Sequence, residues 1–166
     1  VMKKWAVSIA LAIMCSGVVG QESESTAVSS IDGIVNEVLE TISGDSTVTR
    51  DVEKLRMLFA PDATLRVLAV APDGSRQLRT FNLEEFARIV RDFYSGTNFY
   101  EYGLNKTVDE YNGIAQVFQG YEVDGPRGKE QGINSYQLYF DGERWWITSI
   151  LWVSDRNGEE LPEEYR

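Results

Sequence analysis

The 166-residue chain has no histidine and one cysteine, Cys15, which stands inside its first twenty residues. Without histidine there is no imidazole proton shuttle, no Ser-His-Asp or Cys-His nucleophile pair, and no histidine-based zinc or haem ligand set. A lone cysteine allows no disulfide within the chain, so packing alone must hold the fold. Cationic side chains are also in deficit: 16 Lys and Arg face 26 Asp and Glu, a formal net charge of −10. That balance argues against nucleic acid and anionic lipid surfaces as partners, since both select for clusters of Lys and Arg. General acid or base chemistry is left to Asp, Glu, Tyr and Lys, each of which needs burial to titrate near neutrality.

The N-terminus carries an export pattern. Met2-Lys3-Lys4 is basic, Trp5 to Met14 is uncharged and largely apolar, and Ser16-Gly17-Val18-Val19-Gly20 is rich in small residues. An apolar run of about ten residues is too short to span a bilayer and fits a secretory signal. Val18 and Gly20 occupy the positions a signal peptidase reads, which predicts cleavage before Gln21 and a periplasmic or secreted domain. A lipid anchor at Cys15 is the competing reading; Met14 stands where a small residue normally precedes such a cysteine. The expected organisation is a signal peptide over 1–20, a flexible polar leader over 21–29, one domain over 30–155 and a solvated acidic tail over 156–166. The acidic runs in that tail lack the Asp/Asn ladder and glycine of a calcium loop. No metal and no cofactor is expected.

Apolar spacing at Ile31, Ile34, Val35, Val38 and Ile42 predicts a first helix, begun by Ser29 with Asp32 and stopped at Gly44. Thr49 is the expected cap of a second helix ending at Ala60-Pro61. A strand follows over Thr64 to Ala71, turned by Pro72-Asp73-Gly74. Asn82 and Glu85 form a capping-box pattern, with Leu83, Phe86, Val90 and Phe93 as the stripe of a third helix. Beyond Asn98 come four strands, about Phe99 to Glu110, Ile114 to Val123, Ile133 to Phe140 and Trp145 to Val153. Asn112-Gly113 and Asp141-Gly142 supply turns. This is an α+β order: helices early, an antiparallel meander late.

That order, with Leu58-Phe59-Ala60-Pro61-Asp62-Ala63-Thr64 and with Tyr139-Phe140-Asp141-Gly142-Glu143-Arg144-Trp145-Trp146-Ile147 near the end, resembles the nuclear transport factor 2-like superfamily. Its relatives include the SnoaL-like cyclases and the ketosteroid isomerases. The likeness runs from about Ile31 to Val153. It implies a cone: three N-terminal helices packed on a curved, mainly antiparallel sheet, often around a small-molecule pocket, with homodimers formed through the outer sheet face. The positions that carry isomerase chemistry in that fold correspond here to Val38, Val67 and Tyr136, so that route is not supported. Likeness of fold does not carry function.

Strict alternation in the last strand places Trp146, Thr148, Ile150 and Trp152 on one face. The resemblance implies that Thr148 and Trp152 point inward, with Asn134, Tyr136 and Leu138 of the neighbouring strand and Gln116 and Phe118 of the next. These seven are the candidate cavity residues. The leading expectation is an exported domain that binds a small molecule in the cone. Two alternatives stand beside it: a SnoaL-like lyase or isomerase using Tyr136 and an unidentified carboxylate, and a protein-interaction module using the exposed sheet face. A cavity with a buried carboxylate beside Asn134 and Tyr136 favours the enzyme, the same cavity without one favours binding, and a filled cone leaves the interaction module.

Overall fold

A computed structural model describes residues 26–71 and 73–166, so the expected signal segment, its cleavage point and Cys15 lie outside the described residues. Among the described residues, three α-helices and six strands from Ile31 onward build the fold, with short 3-10 turns between and after them. Helix α1 (Ile31–Ile42) begins at Ser30, whose side chain accepts the Gly33 N–H at 3.0 Å. Ser29, the expected start, instead donates its hydroxyl to the Thr26 carbonyl. Of the expected stripe, Ile34, Val35, Val38 and Ile42 are buried and Ile31 is half-buried against the core; Leu39 is buried beside them. Val28, placed by the sequence reading in a flexible leader, is buried, and its carbonyl accepts the Trp145 N–H at 2.9 Å.

Helix α2 (Val52–Met57) is shorter than expected at both ends. Asp51 rather than Thr49 caps it, accepting the Glu53 and Lys54 N–H groups, because a carboxylate meets the positive helix end with charge as well as with a lone pair. Strand β1 (Phe59–Val70) starts before Pro61 rather than after it. The register of β1 against its neighbour shifts between Phe59 and Thr64, so the proline, which has no N–H, sits where no ladder bond is missed.

Strand β2 (Arg76–Asn82) was not expected. It is a sheet edge whose residues are nearly all exposed, so it has no apolar alternation to read, and its arginines suit a solvent-facing edge. Helix α3 (Leu83–Asp92) follows with both halves of the capping box formed, Asn82 with Glu85. Then come β3 (Tyr100–Tyr111), β4 (Ile114–Gly125), β5 (Gly128–Phe140) and β6 (Trp145–Ser154). The Asn112-Gly113 turn has positive φ at both residues, 48° and 83°, as a tight hairpin between twisted strands requires.

The sheet order is β2-β1-β6-β5-β4-β3. The four late strands form the expected meander. Strand β1 joins it parallel to β6, pairing Leu65 with Ile150 and Val67 with Trp152, so the sheet is mixed. It is curved and unclosed, with the helices on its concave face, which is the cone the resemblance implies. The strand β6 alternation fails at one place. Tyr136 pairs with Ile150 and Gln137 with Ser149, yet Leu138 pairs with Ile147, which leaves Thr148 as an extra residue in a bulge. A bulge reverses the phase of every residue beyond it. Trp145 and Ile147 before it and Ile150 and Trp152 after it therefore all face inward.

The C-terminal segment is docked, contrary to the expected solvated tail. Leu161 is buried, the Tyr165 ring meets Phe118 edge-on at 5.3 Å, and Asn105 Nδ2 donates to the Arg166 carbonyl at 2.6 Å. It crosses the outer face of β3 and β4 at Gly120, where a Cβ would stand 1.9 Å from the Tyr165 carbonyl oxygen. Gly120→Ala is expected to lower stability by about 1–3 kcal/mol by pushing that backbone off, measured by thermal melting. The same substitution in a chain ended at Gly158 is expected to cost nothing, and an equal loss in both chains would show that the contact is not the cause.

Candidate functional site

The bend of the sheet and the short reach of α1 and α3 leave the concave side incompletely filled. A cavity of about 480 Å³ lies there, within the range of small-molecule sites. Helix α1 contributes Val38, Leu39 and Ile42, helix α3 Phe86 and Ile89. Strands β1, β2 and β6 supply Leu65, Val67, Phe81, Ile150 and Trp152. Trp152 is fixed by two rings: Phe81 stacks on it at 6.5 Å between centroids, and Phe86 meets it edge-on at 6.1 Å. Tyr94 and Phe99 stack at 4.2 Å in another wall. Aromatic pairs of this kind hold an apolar surface rigid at small entropic cost.

A carboxylate–amide pair interrupts these apolar walls. The Glu101 carboxylate on β3 accepts a 2.7 Å hydrogen bond from Asn134 Nδ2 on β5. Asn134 is buried, and Tyr136 beside it on the inner face is 1% exposed. Among the described residues no cation offsets the burial of Glu101. Loss of solvation pushes its pKa up to about 7; the bond from Asn134 opposes that shift and the charge of Glu130 adds to it. Burial, and then the nearby Glu101 charge, raises the hydroxyls of Tyr94, Tyr121 and Tyr136 as well, so all three remain protonated donors. The backbone of Glu101 is itself anchored, its N–H donating to Ser43 Oγ at 2.9 Å just beyond the end of α1. A carboxylate, an amide and protonated phenols beside an apolar hollow can orient a hydroxyl, carbonyl or amine and exchange a proton with it. Among the described residues no group of three or more acidic side chains is placed to hold a metal ion.

Of the seven sequence candidates, the structure brings Asn134, Tyr136 and Trp152 together in the cavity wall. Leu138 is buried in the core and does not line the cavity. The other three lie elsewhere. Gln116 is exposed opposite Gln137, Phe118 faces outward under Tyr165, and Thr148 sits in the bulge, its hydroxyl donating to the Gln137 carbonyl at 3.1 Å. On β4 the inward residues are Ala115, Val117, Gln119, Tyr121 and Val123. A buried Gln119 and an outward Phe118 invert the facing that the resemblance implies for β4. Glu101 was missed. Its one sequence signal is phase, since it stands two residues beyond the buried Phe99 on the same strand face.

Ionisation of Glu101 makes a checkable link to stability. Its ordinary value is 4.5 and its folded value about 7. Between those pH values the unfolded chain has released a proton that the folded chain retains, so stability from this group falls as pH rises and stays lost above pH 7. Glu101→Gln keeps the shape and the bond from Asn134 without the charge. It is expected to exceed the parent by about 3 kcal/mol at pH 8 and to match it near pH 4.5, read from denaturant or thermal melts across that range. A pH-independent difference would refute the assignment.

No protein-family model matches the chain, and no curated protein matches it in sequence. Solved structures do match in shape. A nuclear transport factor 2-like protein of unknown function from Shewanella baltica superposes with a TM-score of 0.53 at 13% identity, over 84% of this chain and 97% of that one. A like protein of unknown function from Pseudomonas aeruginosa gives 0.56 at 12%, over 75% and 94%. The LinA-type3 hexachlorocyclohexane dehydrochlorinase of Novosphingobium barchaimii gives 0.55 at 12%, over 78% and 90%. At these identities the likeness is one of architecture. By helix order, mixed curved sheet and whole-domain superposition, the chain has the nuclear transport factor 2-like fold.

Proposed function

We propose that the domain binds a small, largely apolar molecule in the cone cavity, with Glu101 and Asn134 as the polar anchor that orients it. The observation that carries this reading is the combination of about 480 Å³ of space walled by aromatic and aliphatic side chains with one buried carboxylate–amide pair inside it. An apolar hollow gives affinity through burial, and a single polar pair gives orientation. Val67→Trp fills the hollow from the middle of β1, where the native side chain is half-buried. It is expected to abolish binding of 1-pyrenebutanol, followed by fluorescence anisotropy, while circular dichroism and melting show the fold intact. Equal binding by parent and a folded Val67→Trp variant would place the ligand elsewhere.

A second reading is favoured by Glu101 itself: a carboxylate beside Asn134 and Tyr136 suits a lyase or isomerase, which must first hold its substrate in the same cavity, so this reading extends the binding one. In that reading the ionised carboxylate removes a proton from carbon next to a carbonyl and returns it, while the Asn134 amide or the Tyr136 hydroxyl stabilises the oxygen. Hydrogen exchange at the α-carbons of 2-tetralone in deuterated water is then faster with the parent than with Glu101→Gln. The excess rate rises with pH and levels off above about pH 7, since the base is the ionised form. Identical exchange by both proteins, at every pH tested, would leave the domain a binder only.

A further inference from the structure

The charged residues around the cavity divide unevenly. Three arginines line it, Arg79, Arg127 and Arg156, and two acids, Glu101 and Glu130. Arg156 is paired with Glu130. Glu101 lies inside, bonded to Asn134, and burial favours its neutral form. Arg79 and Arg127 are exposed, and among the described residues neither makes an ion pair with an acid. Two uncompensated positive charges therefore stand at the rim of the apolar hollow in a chain whose net charge is −10.

Their placement follows from the fold. Arg79 is on β2 directly opposite Val67 of β1, so it shares the inner face with that cavity residue. Arg127 is in the turn between β4 and β5, whose neighbours Gly125, Pro126 and Gly128 also line the opening. The two cations thus come from separate elements, with the apolar walls of Trp152, Phe81 and Val67 among the surfaces of the same cavity. A wholly neutral ligand would leave both guanidinium groups without use, whereas an anionic group at the opening would gain from both and be spared a charged neighbour while Glu101 is neutral.

Resting on the reading that the cavity binds a small molecule, we infer that its ligand is a compact apolar organic acid, seated with its hydrocarbon body between the aromatic walls and its carboxylate, or an equivalent anion, at Arg79 and Arg127. The rim selects for charge and the interior for shape, and the Glu101–Asn134 pair receives whatever hydroxyl or carbonyl the body carries.

The test compares acids with the matching alcohols: 1-pyrenebutyrate against 1-pyrenebutanol, and 2-naphthylacetate against 2-naphthaleneethanol, titrated into the full chain near pH 6 with fluorescence anisotropy as readout. Each acid is expected to bind about tenfold more tightly than its alcohol at low salt, with the preference shrinking at about 0.5 M sodium chloride. In the Arg79→Gln, Arg127→Gln double variant the ratio of acid to alcohol affinity is expected to fall to about one, because exposed guanidinium groups act through charge that glutamine lacks. Two results overturn the inference and leave the cavity reading intact: acid and alcohol binding equally in the parent, or a preference that survives the double substitution. Failure of all four probes to bind, or undiminished binding of both classes to a folded Val67→Trp variant, overturns the cavity reading and this inference with it.

Discussion

The buried guanidinium of Arg50 fixes the junction on which the cavity depends. It is 3% exposed and donates to the carbonyls of Ile42, Gly44, Asp45, Val48 and Thr97. Two of these acceptors lie at or just beyond the end of α1, where helix carbonyls have no helical donor and the helix dipole is negative. A fixed cation with several N–H groups satisfies both conditions at once, and lysine has neither the reach nor the geometry to replace it. The Thr97 bond carries the same lock across to the segment that leads into β3. There Gly44 and Phe99 exchange backbone hydrogen bonds at 2.7 and 3.0 Å. Two residues on, the Glu101 N–H reaches Ser43 Oγ. Helix α1, which roofs the cavity with Val38, Leu39 and Ile42, is in this way zipped to the strand that carries the buried carboxylate. Position of roof and position of polar anchor are set by one network.

The same dependence explains which parts were legible beforehand. Helices α1 and α3 announce themselves because each pairs a 3.6-residue apolar stripe with a local start signal. The hairpin at Asn112-Gly113 is likewise local. Elements decided by distant partners were harder to read. Strand β2 has no buried face and is a strand because β1 lies beside it. Strand β1 runs through Pro61 since its pairing with β6 is interrupted there. The parallel β1–β6 contact joins segments more than eighty residues apart, and nothing in either segment specifies the other.

Site residues divide in the same way. Asn134, Tyr136 and Trp152 line the cavity, on the inward faces of β5 and the end of β6 that the family likeness implies. The same likeness implies an inward Gln116, Phe118 and Thr148, and strand phase puts these three elsewhere. A single extra residue at Thr148 reverses the alternation in β6, and on β4 an outward Phe118 is covered by the C-terminal Tyr165 while Gln119 turns into the core. Tertiary cover made an outward aromatic stable, and a bulge made strict alternation inapplicable.

Glu101 is the residue whose presence packing does not explain. Surrounded by Asn134, Tyr94, Tyr121 and Tyr136, it sits where a leucine or methionine would fill space without loss of solvation, and among the described residues its ionised form is held by one amide and no cation. Groups that cost stability in the folded state cluster where a protein binds or reacts, because elsewhere substitution removes them freely. The surroundings sharpen that inference. Arg50, 3% exposed, has five backbone acceptors and serves the fold; half-buried Glu101, among the described residues, holds its carboxylate on one side-chain donor, Asn134, and opens on a cavity. The number of partners separates a charge that builds the structure from one left for the ligand we propose.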